Sequence, residues 1–551
     1  MLQGLIMDLP LMISGAIQHA ATFHGATEIV AREVDGTIHR YTYAEAHQRT
    51  RRLAKALGRL GVRPGDRIGT LAWNTHRHFE LFYGVSGSGA VLHPVNPRLF
   101  ADQIVYIVNH AEDTWLFIDA ATLPLAEQLA PRLTTVKGFV LMAERSAMPV
   151  NTTLGTLFCY EDLLDVEADD YVWPQFDERS ASSICYTSGT TGDPKGVVYS
   201  HRSSVLVSML FTEWVYRGGR NGAMEALMSL APLFHANGWY FPYVAPMTGS
   251  KLVLPGRHYE PAMLYELLDG ERVSITCGVP TMWLTLTDWM ERQGRTLPHL
   301  RTIYSAGSAA PPSLFDKFAA WGVELNQLWG MTEALGLTSP SLHPGSLALP
   351  PEQQLAQRMK AGRAGFGAQI RIVDDEERPL PHDGEAVGHL RARSPWISSG
   401  YFKGTGGDAL DGEGWLRTGD VASIDPDGYI AIVDRSKDLI KSGGEWISSI
   451  ALENAACGHP EVMQAAVIAA FHPKWQERPL LIVTRKAGSR LDRETLLDFL
   501  RPSVARWWLP DDVVFLPEMP MTATGKIHKL TLREQFRDYK LPAADRAPGS
   551  E

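Results

Sequence analysis

Ten consecutive residues, Thr187-Ser188-Gly189-Thr190-Thr191-Gly192-Asp193-Pro194-Lys195-Gly196, combine three glycines, three threonines, a serine and a lysine. Glycines let backbone N–H groups approach a ligand closely, and small hydroxyls add further donors. With the lysine charge, this is the chemistry of a phosphate cradle. The apolar run 181–186 before it reads as a buried strand, and a helical pattern follows from about Ser203 to Tyr216. The loop is therefore expected between a strand and a helix, where the helix N-terminus adds its dipole. Pro194 stands where a Walker A loop has glycine before its lysine, which excludes that class.

Four further segments carry chemistry. In Trp329-Gly330-Met331-Thr332-Glu333, a carboxylate at a strand end offers hard oxygens to Mg²⁺. Taken alone it also reads as a solvated loop glutamate. In Trp415-Leu416-Arg417-Thr418-Gly419-Asp420, the carboxylate can accept both hydroxyls of a ribose, or simply close a turn. The run Asp434-Arg435-Ser436-Lys437-Asp438-Leu439-Ile440-Lys441-Ser442-Gly443-Gly444-Glu445-Trp446-Ile447 joins charges to a glycine pair and an aromatic. Charge runs are usually solvated faces, but a glycine pair before tryptophan permits close backbone approach to a ligand. In Thr522-Ala523-Thr524-Gly525-Lys526, a lysine after a glycine-containing turn can be delivered into a site built elsewhere. His76-Arg77-His78 suggests a metal only if partners exist, and Asp425-Pro426-Asp427-Gly428 reads as a turn, since Ser436 stands where a calcium loop needs Glu.

These residues need a scaffold. The 551 residues allow three or four units of about 150. Short apolar runs (67–73, 115–118, 139–142, 182–186, 251–254, 274–278, 302–305, 370–373) alternate with helical patterns such as 43–60 and 261–268. That alternation predicts an α/β fold with parallel-rich sheets. Turns and short alternating runs over 388–433 predict a small antiparallel unit. A compact α+β pattern follows 434–438, with helices near 450–457 and 492–500 and strands near 465–470, 480–484 and 513–516. The expected organisation is a large N-terminal domain (1–434), a hinge (435–438) and a small mobile α+β domain (439–551).

The net charge of −10 excludes a basic nucleic-acid footprint. Four dispersed cysteines without a CxxC pair argue against zinc and fit a reducing cytoplasm. The apolar start, 1–17, lacks a basic flank and is interrupted by Asp8 and Pro10, so a helix packed on the body is expected rather than a signal peptide. No uncharged apolar stretch reaches membrane-spanning length.

The five chemical segments, in this order, resemble the adenylate-forming (AMP-binding) enzymes: acyl-CoA synthetases, peptide-synthetase adenylation domains and luciferases. The segments Val172-Trp173-Pro174, Tyr199-Ser200-His201-Arg202, 434–449 and Pro473-Lys474-Trp475-Gln476-Glu477-Arg478-Pro479 look like the bacterial medium- and long-chain fatty acyl-CoA synthetases, a branch that includes 3-(methylthio)propionate ligases. The resemblance implies a two-step reaction. A carboxylic acid and ATP give acyl-AMP and pyrophosphate, and coenzyme A then takes the acyl group.

Roles follow by matched position. The loop (Thr187, Ser188, Gly189, Thr190, Thr191, Gly192, Lys195) would hold the β- and γ-phosphates. Thr187 and Glu333 would serve Mg²⁺, with Thr332 near the α-phosphate. Gly307, Gln327 and Gly330 would line the adenine slot, and Asp420 would take the ribose with Arg435 nearby. Lys526 would bridge acid and α-phosphate. Lys437 stands at the hinge, where many relatives carry Asp. Lys441 and Trp446 would approach the nucleotide, and Gly443 and Gly444 would admit the pantetheine arm after the small domain swivels. His235, Ala236, Trp239 and Tyr240 resemble the acyl site, although His235 also reads as a core histidine. The segment 305–310 departs from the double-glycine form common in the branch.

The expected substrate is a medium-chain fatty acid. The alternatives are a short thioether acid, a long-chain acid, or acyl transfer to a carrier protein. A nucleotide-binding regulator without turnover is opposed by the retention of Lys526 and Glu333. A homodimer is expected by analogy, and peripheral membrane contact stays open because fatty acids partition into bilayers.

Overall fold

The computed structural model describes residues 2, 4–187, 193–218, 225–405, 407–443, 445–522 and 526–542. Two seven-stranded sheets form the bulk of the molecule. The first runs Leu157–Cys159, Phe139–Leu141, Asp113–Ile118, Arg67–Leu71, Val91–Val95, Ala181–Tyr186, Gly196–Ser200. All its pairs are parallel except the last. The second runs Glu324–Gln327, Thr302–Ser305, Ile275–Gly278, Ala226–Ser229, Lys251–Leu254, Glu28–Arg32, Ile38–Thr42, and only its last pair is antiparallel.

The sheets share one core. Ile68, Leu92 and Phe117 of the first cluster with Ile29, Leu227 and Ile275 of the second. Helix His76–Gly87 is buried at every position, because it contributes to that shared core rather than to a surface. The outer faces are covered separately, one by Ala101–Ala111 and Leu123–Leu129, the other by Pro261–Gly270, Pro280–Gln293 and Pro312–Ala320. Each of the last three begins on proline, whose fixed φ and missing N–H cost nothing in a first turn. Helix Tyr43–Arg59 starts with a reciprocal cap between Thr42 and Glu45.

A four-stranded antiparallel sheet follows: Gln369–Val373, Gly388–Arg393, Leu416–Ile424, Ile430–Arg435. A last sheet contains Glu445–Ile447, Ile440–Ser442, Gln476–Arg485, Val462–His472 and Asp512–Leu516, packed with helices Ser449–Cys457 and Arg493–Leu500. The α/β architecture read from the alternation is therefore present, as are the antiparallel unit and the α+β unit after it.

Three local expectations differ. The glycine-rich loop does not lead into a helix. It joins Ala181–Tyr186 to the antiparallel strand Gly196–Ser200, and helix His201–Gly218 begins only afterwards. A helix N-terminus therefore does not directly follow the loop. At the N-terminus, only Ser14–Phe23 is helical; the preceding residues carry exposed Leu5, Ile6 and Met7. Strand Val91–Val95 was not anticipated because Pro94 interrupts its apolar run, yet it lies inside the sheet.

No helix among the described residues is long and apolar enough to cross a membrane, and no cluster of three potential metal ligands from His, Cys, Asp and Glu occurs there. His76 bonds Glu33 at 2.6 Å and His78 bonds Thr70 at 3.0 Å, so both histidines serve the core.

Candidate active site

The two described ends of the glycine-rich loop close on each other. The Thr187 N–H donates to the Lys195 carbonyl at 2.9 Å, and the Lys195 N–H donates to Thr187 Oγ1 at 3.2 Å. Ser188, Gly189, Thr190, Thr191 and Gly192 lie outside the described residues. Lys195 Nζ stands 4.9 Å from the centre of the Tyr401 ring, and Tyr401 Oη donates to Glu333 Oε1 at 2.7 Å. Tyr199, on the strand after the loop, donates to the Thr332 carbonyl at 2.6 Å. A continuous chain of contacts thus runs from Thr187 through Lys195 and Tyr401 to Glu333. Glu333 is buried, and among the described residues no cation pairs with its carboxylate. A buried carboxylate without a cation is costly. Its oxygens and the Thr187 hydroxyl are hard donors, a set that fits Mg²⁺.

A second group surrounds Asp420. Strand register sets Asp420 opposite Arg435, with a bulge at the next pair that re-aims the strand end. Arg435 Nε donates to Asp420 Oδ1 at 3.2 Å, and Trp329 Nε1 donates to Oδ2 at 2.8 Å. The Gln327 amide is spent on scaffolding: Oε1 accepts from Ala310 N–H at 2.9 Å, and Nε2 donates to the carbonyls of Ser308 and Leu328 at 3.1 Å each. It fixes the segment beside Gly307. At Gly330 an added Cβ would lie 3.4 Å from the Ala334 carbonyl oxygen, an ordinary contact.

Lys526 reaches this group from the far end of the chain. A Cβ on Gly307 would lie 2.9 Å from Lys526 Cε and 3.3 Å from Nζ, and Gly307 itself has φ of +91°. The positive φ is what favours glycine there. Thr522 and Lys526 close the delivering turn, with Thr522 N–H on the Lys526 carbonyl at 2.6 Å and Lys526 N–H on Thr522 Oγ1 at 3.1 Å. Desolvation and the Arg435 charge pull the Lys526 ammonium down to about 8, partly offset by Asp420. His235 is close enough to feel that charge. Burial first, and Lys526 second, lower it to about 3, so it is a neutral imidazole.

His235 is followed by five residues, Ala236 to Tyr240, that all have positive φ, from 39° to 61°. Outside glycine this conformation costs about 1–2 kcal/mol per residue. Asn237 Nδ2 donates to Ser183 Oγ at 2.6 Å and Ser229 Oγ donates to the Gly238 carbonyl at 3.2 Å, which pins the turn. Backbone strain of this kind persists where the surroundings over-determine it. Ala236 is buried, Trp239 is half-buried against the main core, and Tyr240 is buried among Tyr199, Phe211 and Tyr243.

The other expected residues lie on the hinge and on the hairpin that follows it. Lys441 Nζ lies 4.8 Å from the centre of the Trp446 ring, and both side chains are exposed on the hairpin that carries Gly443. Gly443 has φ of +61°, and a Cβ on it would come within 2.7 Å of the Trp475 ring. Gly444 lies outside the described residues. Both Lys441 and Trp446 side chains, expected at the nucleotide, are exposed while Lys526 is inserted. The Lys437 carbonyl accepts from Arg533 at 3.4 Å, and burial lowers the Lys437 ammonium below the usual lysine range. Sequence reasoning missed Tyr199 and Tyr401. Neither has a spacing signal, since Tyr401 is 68 residues from the glutamate it holds.

Comparison with known proteins agrees with this geometry. The AMP-binding enzyme family matches residues 17–402, and the AMP-binding enzyme C-terminal domain matches 451–526. The chain is 46% identical over 537 residues to a 3-methylmercaptopropionyl-CoA ligase of Ruegeria lacuscaerulensis, covering 97% of this chain and 99% of that one. It is 44% identical over 542 residues to a medium-chain-fatty-acid–CoA ligase of Ectopseudomonas oleovorans, covering 98% of both. The crystal structure of the anthranilate CoA ligase AuaEII in complex with anthranoyl-AMP shares the fold, with TM-score 0.83, 24% identity, and coverage of 96% and 98% of the two chains. With both of its parts matched, and relatives above 40% identity along nearly its whole length, the chain belongs to the AMP-binding enzyme family, among its CoA ligases.

Proposed function

We propose that this chain is an AMP-forming acyl-CoA synthetase whose acid is a medium-chain fatty acid, that 1–434 binds ATP and acid, and that 439–551 swivels about 435–438 between half-reactions. The observation that carries the reading is the insertion of Lys526 beside Gly307, Asp420 and His235. In the first half-reaction a carboxylate oxygen bonds to the α-phosphorus of ATP and the bond to pyrophosphate breaks. Two anions must meet for this to happen, and the Lys526 ammonium offsets their repulsion. Asp420 orients the ribose. His235, being neutral, supplies a directional hydrogen bond to the acid rather than charge. Thr187 and Glu333 would hold Mg²⁺, which supplies positive charge to the phosphates. Catalysis rests on positioning and preset charge. In the second half-reaction the CoA thiol attacks the acyl carbon and AMP leaves with the bonding pair.

Trp239 and the turn that carries it are the residues proposed to set acid length. The thioether acid is the second reading, favoured by the 46% identity to the Ruegeria enzyme. A homodimer with cytoplasmic residence, reaching fatty acids at bilayer surfaces, completes the proposal. The test is AMP release with ATP, CoA and acids of graded length, 3-(methylthio)propionate included. Release is expected only with all three substrates present and to be fastest with six- to ten-carbon acids. A maximum at the thioether acid overturns the assigned substrate, and AMP release with none overturns the ligase reading.

A further inference from the structure

The helix Lys529–Gln535 begins three residues after Lys526, and its charged face grips the hinge. Lys529 Nζ donates to Ser449 Oγ at 2.7 Å and pairs with Glu453 at 2.6 Å. One turn later Arg533 pairs with Asp438 and donates to the Lys437 carbonyl. These hydrogen-bonded and paired partners lie at or beyond residue 437, within the hinge or the small unit, while the Lys529 charge also bears on Asp434.

Asp434 is different. It is the penultimate residue of the strand Ile430–Arg435 of the four-stranded sheet, where its register partner is Val421. Its carboxylate is buried, at 1% exposure, and points across the hinge. Oδ2 accepts from the Ser449 N–H at 2.6 Å and from Ser449 Oγ at 2.7 Å, and Oδ1 accepts from the Arg435 N–H at 2.8 Å. Beside it Ser448 Oγ donates to the Val433 carbonyl at 2.6 Å, while also capping helix Ser449–Cys457. Rotation about 435–438 must pull Ser448 and Ser449 away from Val433 and Asp434. Bonds to a buried carboxylate are among the stronger ones.

We propose that Asp434, with Ser448 and Ser449, is a latch that holds the arrangement in which Lys526 is inserted. Asp434 is then a positioning residue for acyl-AMP formation that never touches substrate. The latch rests on the domain alternation proposed above. It breaks when the small domain swivels, leaving Ser449 to Lys529 and Asp434 to water. Loosening it therefore burdens only the half-reaction that needs Lys526.

The test measures both half-reactions separately on Asp434→Ala: acyl-AMP formation from acid and ATP, and thioester formation from supplied acyl-AMP and CoA. Acyl-AMP formation is expected to fall about tenfold, with thioester formation unchanged or faster. Ser449→Ala, which removes the hydroxyl but keeps the N–H, is expected to shift the ratio the same way by less, and serves if Asp434→Ala does not fold. Equal loss of both half-reactions, or no change in their ratio, overturns the latch. Absence of acyl-AMP formation in the unaltered enzyme overturns the ligase reading, and the latch with it.

Discussion

Lys526→Ala slows acyl-AMP formation by about a thousandfold and leaves thioester formation from supplied acyl-AMP within about fivefold of the unaltered enzyme. The asymmetry follows from where the side chain lies. Its stem crosses Gly307, its ammonium sits in the field of Arg435 and Asp420, and its charge reaches His235. In the proposed reaction that is where a carboxylate and an α-phosphate meet, so removing the cation leaves their repulsion uncompensated. In the proposed domain alternation, thioester formation uses the arrangement in which the small domain has turned away. The same residue sets the pH dependence. With the free ammonium at about 8, kcat/KM for acyl-AMP formation falls as pH rises through that value, because the neutral amine carries no charge. Bound acid and ATP are anions that stabilise the ammonium, so kcat keeps its plateau to higher pH. Lys526→Arg flattens the alkaline limb. Rapid-quench measurement of each half-reaction, repeated across pH, checks both statements. Equal loss of the two halves contradicts the role of the lysine.

Glu333→Gln lowers kcat/KM for acyl-AMP formation by about a hundredfold and raises the Mg²⁺ concentration needed for half-maximal rate. The carboxylate is buried and oriented by Tyr401, with no cation among the described residues to satisfy it. The amide keeps the shape and the bond from Tyr401 but loses the charge. Tyr401→Phe keeps the charge and loses only the orientation, so its expected cost is much smaller, and the two variants separate charge from geometry. Titration with Mg²⁺ at fixed ATP is the measurement. An unchanged Mg²⁺ requirement in Glu333→Gln removes this residue from the metal site.

Much of this arrangement was legible in the residues. The alternation of apolar runs with helical patterns identified parallel-rich sheets, since strands such as Lys251–Leu254 and Thr302–Ser305 are short, apolar and bounded by turns. What escaped depends on tertiary contact. The antiparallel strand after the glycine-rich loop, Gly196–Ser200, merges by sequence into the following helix. Only its pairing with Ala181–Tyr186 separates the two. The left-handed run Ala236–Tyr240 has a weak signal in Asn237-Gly238, but alanine, tryptophan and tyrosine in that conformation are imposed by Ser183 and Ser229. The bonds by which the Gln327 amide ties down the segment beside Gly307 have no signal in spacing either. Asp434 read as part of a solvated charge run, yet it is among the most buried carboxylates of the molecule, because the turn at 436–439 brings a helix N-terminus onto it.

The central claim is that the acid's own oxygen attacks the α-phosphorus of ATP. Oxygen-18 supplied in the carboxylate, followed by mass spectrometry of the nucleotide product, tests it most directly. The predicted result is one labelled oxygen in the phosphate of each AMP formed. AMP without label, or ADP and phosphate in its place, would contradict the account.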